Sequence, residues 1–277
     1  MTVLFLMTLT LREASRRRLV WVGLGLGLAF VALFGIGFSV LYREIESSLL
    51  PLGREATEGA SFFTIAGLYA LNFLVVMLSV LVAADVVSGE IASGAIQTLA
   101  TKPVRRFELI LGKWLGLALL VVSYVLLVGG GILAVSWVVS GYLVPNSARG
   151  LGLIALEGVA LVSLAVLGGT RLSTITNGAF VFMLYGLAFL GGWTEQIGGI
   201  LRNQAAINVG IVSSLLMPSE ALWKRAAYLM QPAAFQQFAA TPFAITSVPS
   251  QAMVVYAVLY AAVAVALAVR TFGRRDL

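Results

Sequence analysis

Six stretches of this chain are each long and apolar enough to cross a lipid bilayer, and nothing else in the sequence limits the fold as tightly. A hydrocarbon core of about 30 Å takes roughly 20 helical residues. The stretches are residues 19–41, 61–84, 114–139, 151–169, 172–193 and 252–269. With 60% of its 277 residues hydrophobic and 11% charged, the chain holds less than half of the roughly 25% charge of a soluble domain. Inside lipid no water satisfies backbone N–H and C=O groups, so the spans are helices. The sequence reads as an all-α integral membrane protein whose six transmembrane helices form a single domain over 1–277. Gly129, Gly130 and Gly131 in the third span predict a tilt or a local break there.

Charge sets the orientation. Placing the N-terminus in the cytoplasm puts twelve of the 18 Lys and Arg residues on that side and six on the other, which is the asymmetry of cytoplasmic flanks. Both termini are then cytoplasmic, in a multi-pass protein of the cell inner (plasma) membrane. The net charge of +6 lies beside apolar spans rather than in a stripe, which argues for membrane orientation and against nucleic acid. Residues 1–11 are apolar with Arg12, Arg16, Arg17 and Arg18 after them, the reverse of a cleaved signal peptide. Leu4, Met7, Leu11 and Ala14 recur at helical spacing and predict an amphipathic helix on the cytoplasmic surface. Residues 194–251 are too apolar for an ordinary loop, yet Pro218, Pro232, Pro242 and Pro249 cut them into pieces too short to span. Helices over 205–217 and 226–240, re-entrant or interfacial on the outer side, are the expectation. A hairpin of two tilted spans is the other arrangement the composition allows.

The chain has neither Cys nor His. Thiolate nucleophiles, imidazole acid–base catalysis and the usual zinc and haem ligands are therefore absent, and a soft metal would find only Met residues such as Met77 and Met183. No metal site and no catalytic residue is expected. Glu157 is the one acid well inside a predicted span. A charge at mid-bilayer costs about 2.5 to 3.5 kcal/mol on insertion scales, so Glu157 faces protein, either in a substrate cavity or as a structural residue bonded to Asn72 or a serine. Asn72, Glu157 and Glu195 are the substrate-pathway candidates. Glu195 and Gln196, at the predicted exit of the fifth span, also suit an interfacial anchor. Gly23 with Gly27, and Gly112 with Gly116, permit close helix approach.

Cytoplasmic polarity concentrates between the second and third spans. Val87, Ile91, Ala95 and Leu99 recur every four residues with Ser88, Glu90, Ser93 and Gln97 on other faces, which predicts an amphipathic helix. Pro103 turns the chain. Arg105, Arg106 and Lys113 then stand where lipid phosphates or an acidic partner would be met; an ordinary basic loop has the same spacing. The runs S-G-E-x-x-x-G (Ser88 to Gly94), L-A-T-K-P-V-R (Leu99 to Arg105) and L-G-K (Leu111 to Lys113) resemble the permease subunits of type 2 ABC exporters. The resemblance extends from L-R-E-A-S-R-R-R before the first span through R-L-S-T-I-T-N-G (Arg171 to Gly178) and G-G-W-T-E-Q-I-G (Gly191 to Gly198) to L-M-P-S-E-A-L-W (Leu216 to Trp223). It is particularly similar to the branch that contains the permease for nitrous oxide reductase maturation. Ala95, where many relatives have Thr, is a departure.

The resemblance implies a six-helix half-transporter whose cytoplasmic coupling helix, in region 85–108, sits in a cleft of a separate ABC ATPase subunit. It also implies re-entrant helices between the fifth and sixth spans, and a second permease copy or paralogue beside the first in the bilayer. Val87, Glu90, Ile91, Leu99, Arg105 and Arg106 become the expected contacts to the ATPase. ATP and Mg would be bound by that partner, because this sequence lacks a G-x-x-x-x-G-K-[ST] phosphate loop. No cofactor is expected on the chain itself. The alternative is a secondary transporter or channel not driven by ATP, which calls for buried ionisable residues along a pathway; among the predicted spans only Glu157 answers.

Overall fold

The computed structural model describes residues 2–48, 53–93, 105–232 and 247–274, and every regular element among them is a helix. These are α1 (Thr2–Arg16), α2 (Arg18–Ser48), α3 (Gly53–Ala83), α4 (Ser88–Ala92), α5 (Arg106–Ser140), α6 (Ser147–Gly169), α7 (Thr174–Leu201), α8 (Gln204–Leu216), α9 (Ser219–Met230) and α10 (Gln251–Gly273). Six of them, α2, α3, α5, α6, α7 and α10, are long and apolar enough to cross a membrane. Most extend beyond the predicted apolar runs, because a helix continues past the hydrocarbon as long as its own backbone bonds are made.

The six run alternately between two ends of a bundle. At one end Asp85 accepts from Arg17 and Thr174, Arg106 donates to the Gly273 carbonyl and Thr170 shares a hydrogen bond with Thr271, which ties the start of α2, the end of α3 and the start of α7 in one set, and the start of α5 and the end of α6 to the end of α10. This end is rich in arginine, and the described beginning and end of the chain both lie there. At the far end the Tyr142 hydroxyl donates to Ser61. Helix α6 is the axis, packed by α3, α5, α7, α9 and α10 and burying Ile154, Ala160, Leu161, Val162 and Ala165. Lipid is as apolar as leucine, so such helices are held by close packing rather than by a hydrophobic gradient. Helix α2 is peripheral, with Trp21, Leu26, Leu33 and Ile36 facing outward.

Three expectations need correction. Helix α1 forms, but it packs along α5 on the bare backbone of Gly112 and Gly116, where a Cβ at Gly116 would lie 2.8 Å from Thr10 Cβ. Its buried stripe is Leu6, Thr10 and Ala14, and Leu4 is 62% exposed. Of the stripe read from the sequence, Ala14 is buried, Met7 and Leu11 are half-buried and Leu4 is exposed, so the helix is apolar on two adjoining sides, one of which packs on α5. Gly23 and Gly27 likewise serve contacts within the chain, to Leu78 and to Val128 and Tyr124. Second, α5 is continuous through Gly129, Gly130 and Gly131 and ends at Gly141, whose φ of 67° is the left-handed value that glycine adopts freely. Gly129 abuts Leu71 and Leu151, and Gly131 abuts Val31, so the run admits neighbours instead of breaking the helix.

The third correction concerns 194–251. Helix α7 continues to Leu201, and α8 returns along it through Gly191 against Ser213 and Gly198 against Ala206. The chain then bends by 106° between α8 and α9. Helix α9 ends at the far end, where Asn146 Nδ2 donates to the Leu229 carbonyl at 3.2 Å. Helices α8 and α9 thus leave and rejoin the same end and form a re-entrant hairpin. Its second helix is Ser219–Met230 rather than 226–240. Pro218 lacks an N–H and is tolerated where a helix begins, so α9 starts at once and takes in Glu220, Lys224 and Arg225. Residues 233–240 lie outside the described residues.

Packing along α6 makes a direct prediction. A Cβ on Gly158 would meet Val121 at 2.5 Å and Val75 at 2.9 Å, whereas one on Gly130 meets nothing within 4 Å. Gly158→Val should lower stability by about 1 to 3 kcal/mol and visibly lower the melting temperature of the purified protein in detergent. Gly130→Ala should leave it unchanged or raise it.

Candidate functional site

Two sets of polar side chains stand out against the apolar bundle. The first lies in its middle. Glu157 on α6 is fully buried and Asn72 on α3 nearly so; Asn72 Nδ2 donates to Glu157 Oε1 at 3.4 Å. The remaining oxygen of each, Glu157 Oε2 and Asn72 Oδ1, is buried without a partner. Next to them the tip of the re-entrant hairpin brings in residues that the sequence placed outside. Lys224 Nζ donates to Glu195 Oε2 at 2.9 Å and to the Gly192 carbonyl at 2.9 Å, and Ser247 donates to Glu195 Oε1 at 2.6 Å. Glu220, one turn before Lys224, is buried against Gly192.

Two of these residues, Asn72 of α3 and Glu220 of α9, line a cavity of about 380 Å³ together with Tyr69 and Phe73 of α3 and Tyr185 and Phe189 of α7. Tyr69 packs edge-on against Trp223, ring centroids 5.3 Å apart, and Tyr185 stacks on Phe189. The structure therefore brings Asn72 and Glu157 together and places Glu195 on the other side of the same polar layer. Glu195 is not an anchor at the exit of a span: its helix runs on to Leu201, and the carboxylate is committed to Lys224. Glu220 and Lys224 were missed because E-A-L-W-K looks like a solvated helical turn, an i, i+4 acid–base pair of the kind found on surfaces. Met183, one of the residues a soft metal would have to use, faces outward and takes no part.

The second set lies at the arginine-rich end, in the segment that follows α3. Asp85 accepts from Arg17 at 2.9 Å and from Thr174 at 3.0 Å. Ser88 and Thr174 share a hydrogen bond of 2.8 Å. Glu90 forms an ion pair with Lys113 of α5, and Asn177 of α7 donates to the carbonyls of Ala84 and Ala165. A short segment is thus fastened to the α1–α2 junction and to α5, α6 and α7. Of the predicted coupling helix only Ser88–Ala92 is described as helical, and Leu99 lies outside the described residues. Val87 is 1% exposed and packs against Gly169, so its side chain belongs to the bundle interior and not to an outer face. Ile91 is part-exposed, and Arg105 and Arg106 are exposed. Arg105 N–H donates to Glu108 at the start of α5, and Arg106 Nη1 donates to the Gly273 carbonyl at 3.3 Å.

A family model described as ABC-2 family transporter protein matches residues 7–277. The chain belongs to that family. No curated protein matches it. As an ABC-2 permease it is a multi-pass membrane subunit of an ABC transporter, a class of chain that is generally not itself catalytic and works with an ABC ATPase. Family membership thus weighs against the alternative of a transporter not driven by ATP, even though the bundle of this ABC-2 permease buries more ionisable groups than its sequence led one to expect.

The Lys224–Glu195 pair is the one whose loss should cost most. Removing one partner of a buried pair costs about 3 to 5 kcal/mol, while replacing both with apolar residues is often neutral. Lys224→Met should therefore strongly destabilise the purified permease in thermal unfolding. Lys224→Met combined with Glu195→Leu should recover most of the loss.

Proposed function

We propose that this chain is the membrane half of an ATP-driven exporter, in which a separate ABC ATPase acts on region 85–108 and the bundle opens a path past the mid-bundle cavity. The observation that supports this reading is the fastening of residues 84–93 to four neighbouring elements through Asp85, Ser88, Glu90 and Asn177. A push on this segment is delivered to the α1–α2 junction through Arg17, to α5 through Lys113 and to α7 through Thr174. Packed helices respond to such a load as rigid bodies. With Val87 turned inward, the ATPase contact falls to Glu90, Ile91, Arg105 and Arg106, with Leu99 in the adjoining part of the segment.

ATP and Mg belong to the ATPase subunit in this scheme, and a second permease copy or paralogue completes the transporter. The arginine-rich end faces the cytoplasm with both termini, in the plasma membrane, and the α8–α9 hairpin opens on the outer side. The sequence motifs resemble those of the nitrous oxide reductase maturation branch, and this resemblance supplies no substrate. Closure of the ATPase dimer on ATP moves the segment and rocks the spans, and substrate passes Asn72, Glu157 and the Glu195–Lys224 layer.

The chain lacks Cys, so single cysteines report cleanly. Arg171→Cys should label from the cytoplasm and Gln204→Cys from outside. With the ATPase co-expressed, Ile91→Asp should reduce its co-purification, and Asp85→Asn should leave the complex intact while lowering transport per ATP hydrolysed. Arg149→Ala, at the far end, should match wild type. Wild-type behaviour of both Ile91→Asp and Asp85→Asn would remove the coupling role.

A further inference from the structure

The cavity beside the hairpin tip is built for a particular ligand chemistry. Its walls are four aromatic rings, those of Tyr69, Phe73, Tyr185 and Phe189. Its polar points are the Tyr69 and Tyr185 hydroxyls, Glu220, which brings the one carboxyl group among the lining residues, and Asn72, whose Oδ1 is buried without a hydrogen-bond partner while the residue itself is 3% exposed. Glu157 stands directly behind Asn72 with one oxygen also unpartnered. The cation of this layer, Lys224, is spent on Glu195 and the Gly192 carbonyl. Three carboxyl groups thus share one ammonium among the described residues, and a buried carboxylate without a partner is costly. The volume of about 380 Å³ falls within the range that holds small organic molecules. Phe73 is 51% exposed on the outer face of α3, so the cavity opens sideways toward the lipid.

The geometry points to a binding site for a lipophilic organic monocation that enters from the bilayer. The aromatic faces attract the cation and exclude water, Glu220 supplies the counter-charge, and Asn72 Oδ1 accepts from any N–H on the ligand. Neutral ligands leave Glu220 unpaired, and anions are repelled by it. As the substrate class of the exporter this deepens the reading above and rests on it; as a binding site it does not need the ATPase.

The test is fluorescence titration of ethidium, a planar monocation, into the purified permease in phosphatidylcholine nanodiscs, with empty nanodiscs subtracted. Uncharged phenanthridine and the anion 1-anilinonaphthalene-8-sulfonate serve as comparators. Saturable ethidium binding is expected, with both comparators at least about tenfold weaker. Glu220→Gln should weaken ethidium binding about tenfold or more. Phe73→Leu, at a half-exposed position where folding is not at stake, should weaken it about threefold. Glu108→Gln, at the arginine-rich end, should leave it unchanged. Absence of saturable binding, equal affinity for phenanthridine, or wild-type isotherms in both Glu220→Gln and Phe73→Leu would overturn the site. ATP hydrolysis by the complex separates the two readings. Ethidium binding without stimulation keeps the site and removes it from the pathway; a complex stimulated by other compounds that binds no ethidium removes the site and keeps the exporter.

Discussion

The ion pair between Lys224 and Glu195 is what allows a helix as polar as α9 to sit inside a membrane bundle. An ammonium group in that layer would be expelled without its carboxylate, and the Gly192 carbonyl and Ser247 complete the coordination on either side. With the pair in place, Trp223 reaches Tyr69, Glu220 closes the cavity and Met230 covers Gly150 at the start of α6. The hairpin's own backbone imposes the same condition. Its bend interrupts the helical ladder where no water is available, which is tolerated only where the chain is wrapped by protein. Met217 and Ser219, on either side of Pro218, are fully buried.

At the other end of the bundle the fastening is of a different kind. Arg17 and Asp85 are both partly exposed, and a surface pair of this sort contributes about 1 kcal/mol or less. What matters there is connectivity. Asp85 alone touches the α1–α2 junction and α7, so a small displacement reaches helices far apart in the chain. Strong, desolvated bonds at mid-bundle and weak, shared ones at the arginine-rich end would suit the proposed machine, whose binding layer stays rigid while its other end shifts.

The apolar runs were legible because the bilayer imposes a length, and all six spans are where that length put them. Apolarity and the proline pattern made the hairpin legible as an anomaly, but not its interior. A pair such as Glu220 and Lys224 carries the same letters on a surface and in a core, and only the position of α9 against Gly192 and Tyr69 tells them apart. The contact of α1 with α5 was hidden for a related reason, since Leu4 and Leu6 are alike in hydropathy while one is exposed and the other meets Gly112. Asn72 beside Glu157 was accessible from the rule that buried acids find donors; the unpartnered oxygens on both are visible only in three dimensions.

Because the α8–α9 hairpin leaves and rejoins the same end, it adds an even number, zero, to the count of crossings. The last span keeps its direction whatever the hairpin's length or composition. Its tip supplies Glu220 to the cavity, while the segment after α3 lies at the opposite end of the bundle. On the proposed reading, selectivity and drive fall on separable parts of the chain, and a change of cargo could be made in the hairpin without reversing a single helix or altering the surface offered to the ATPase.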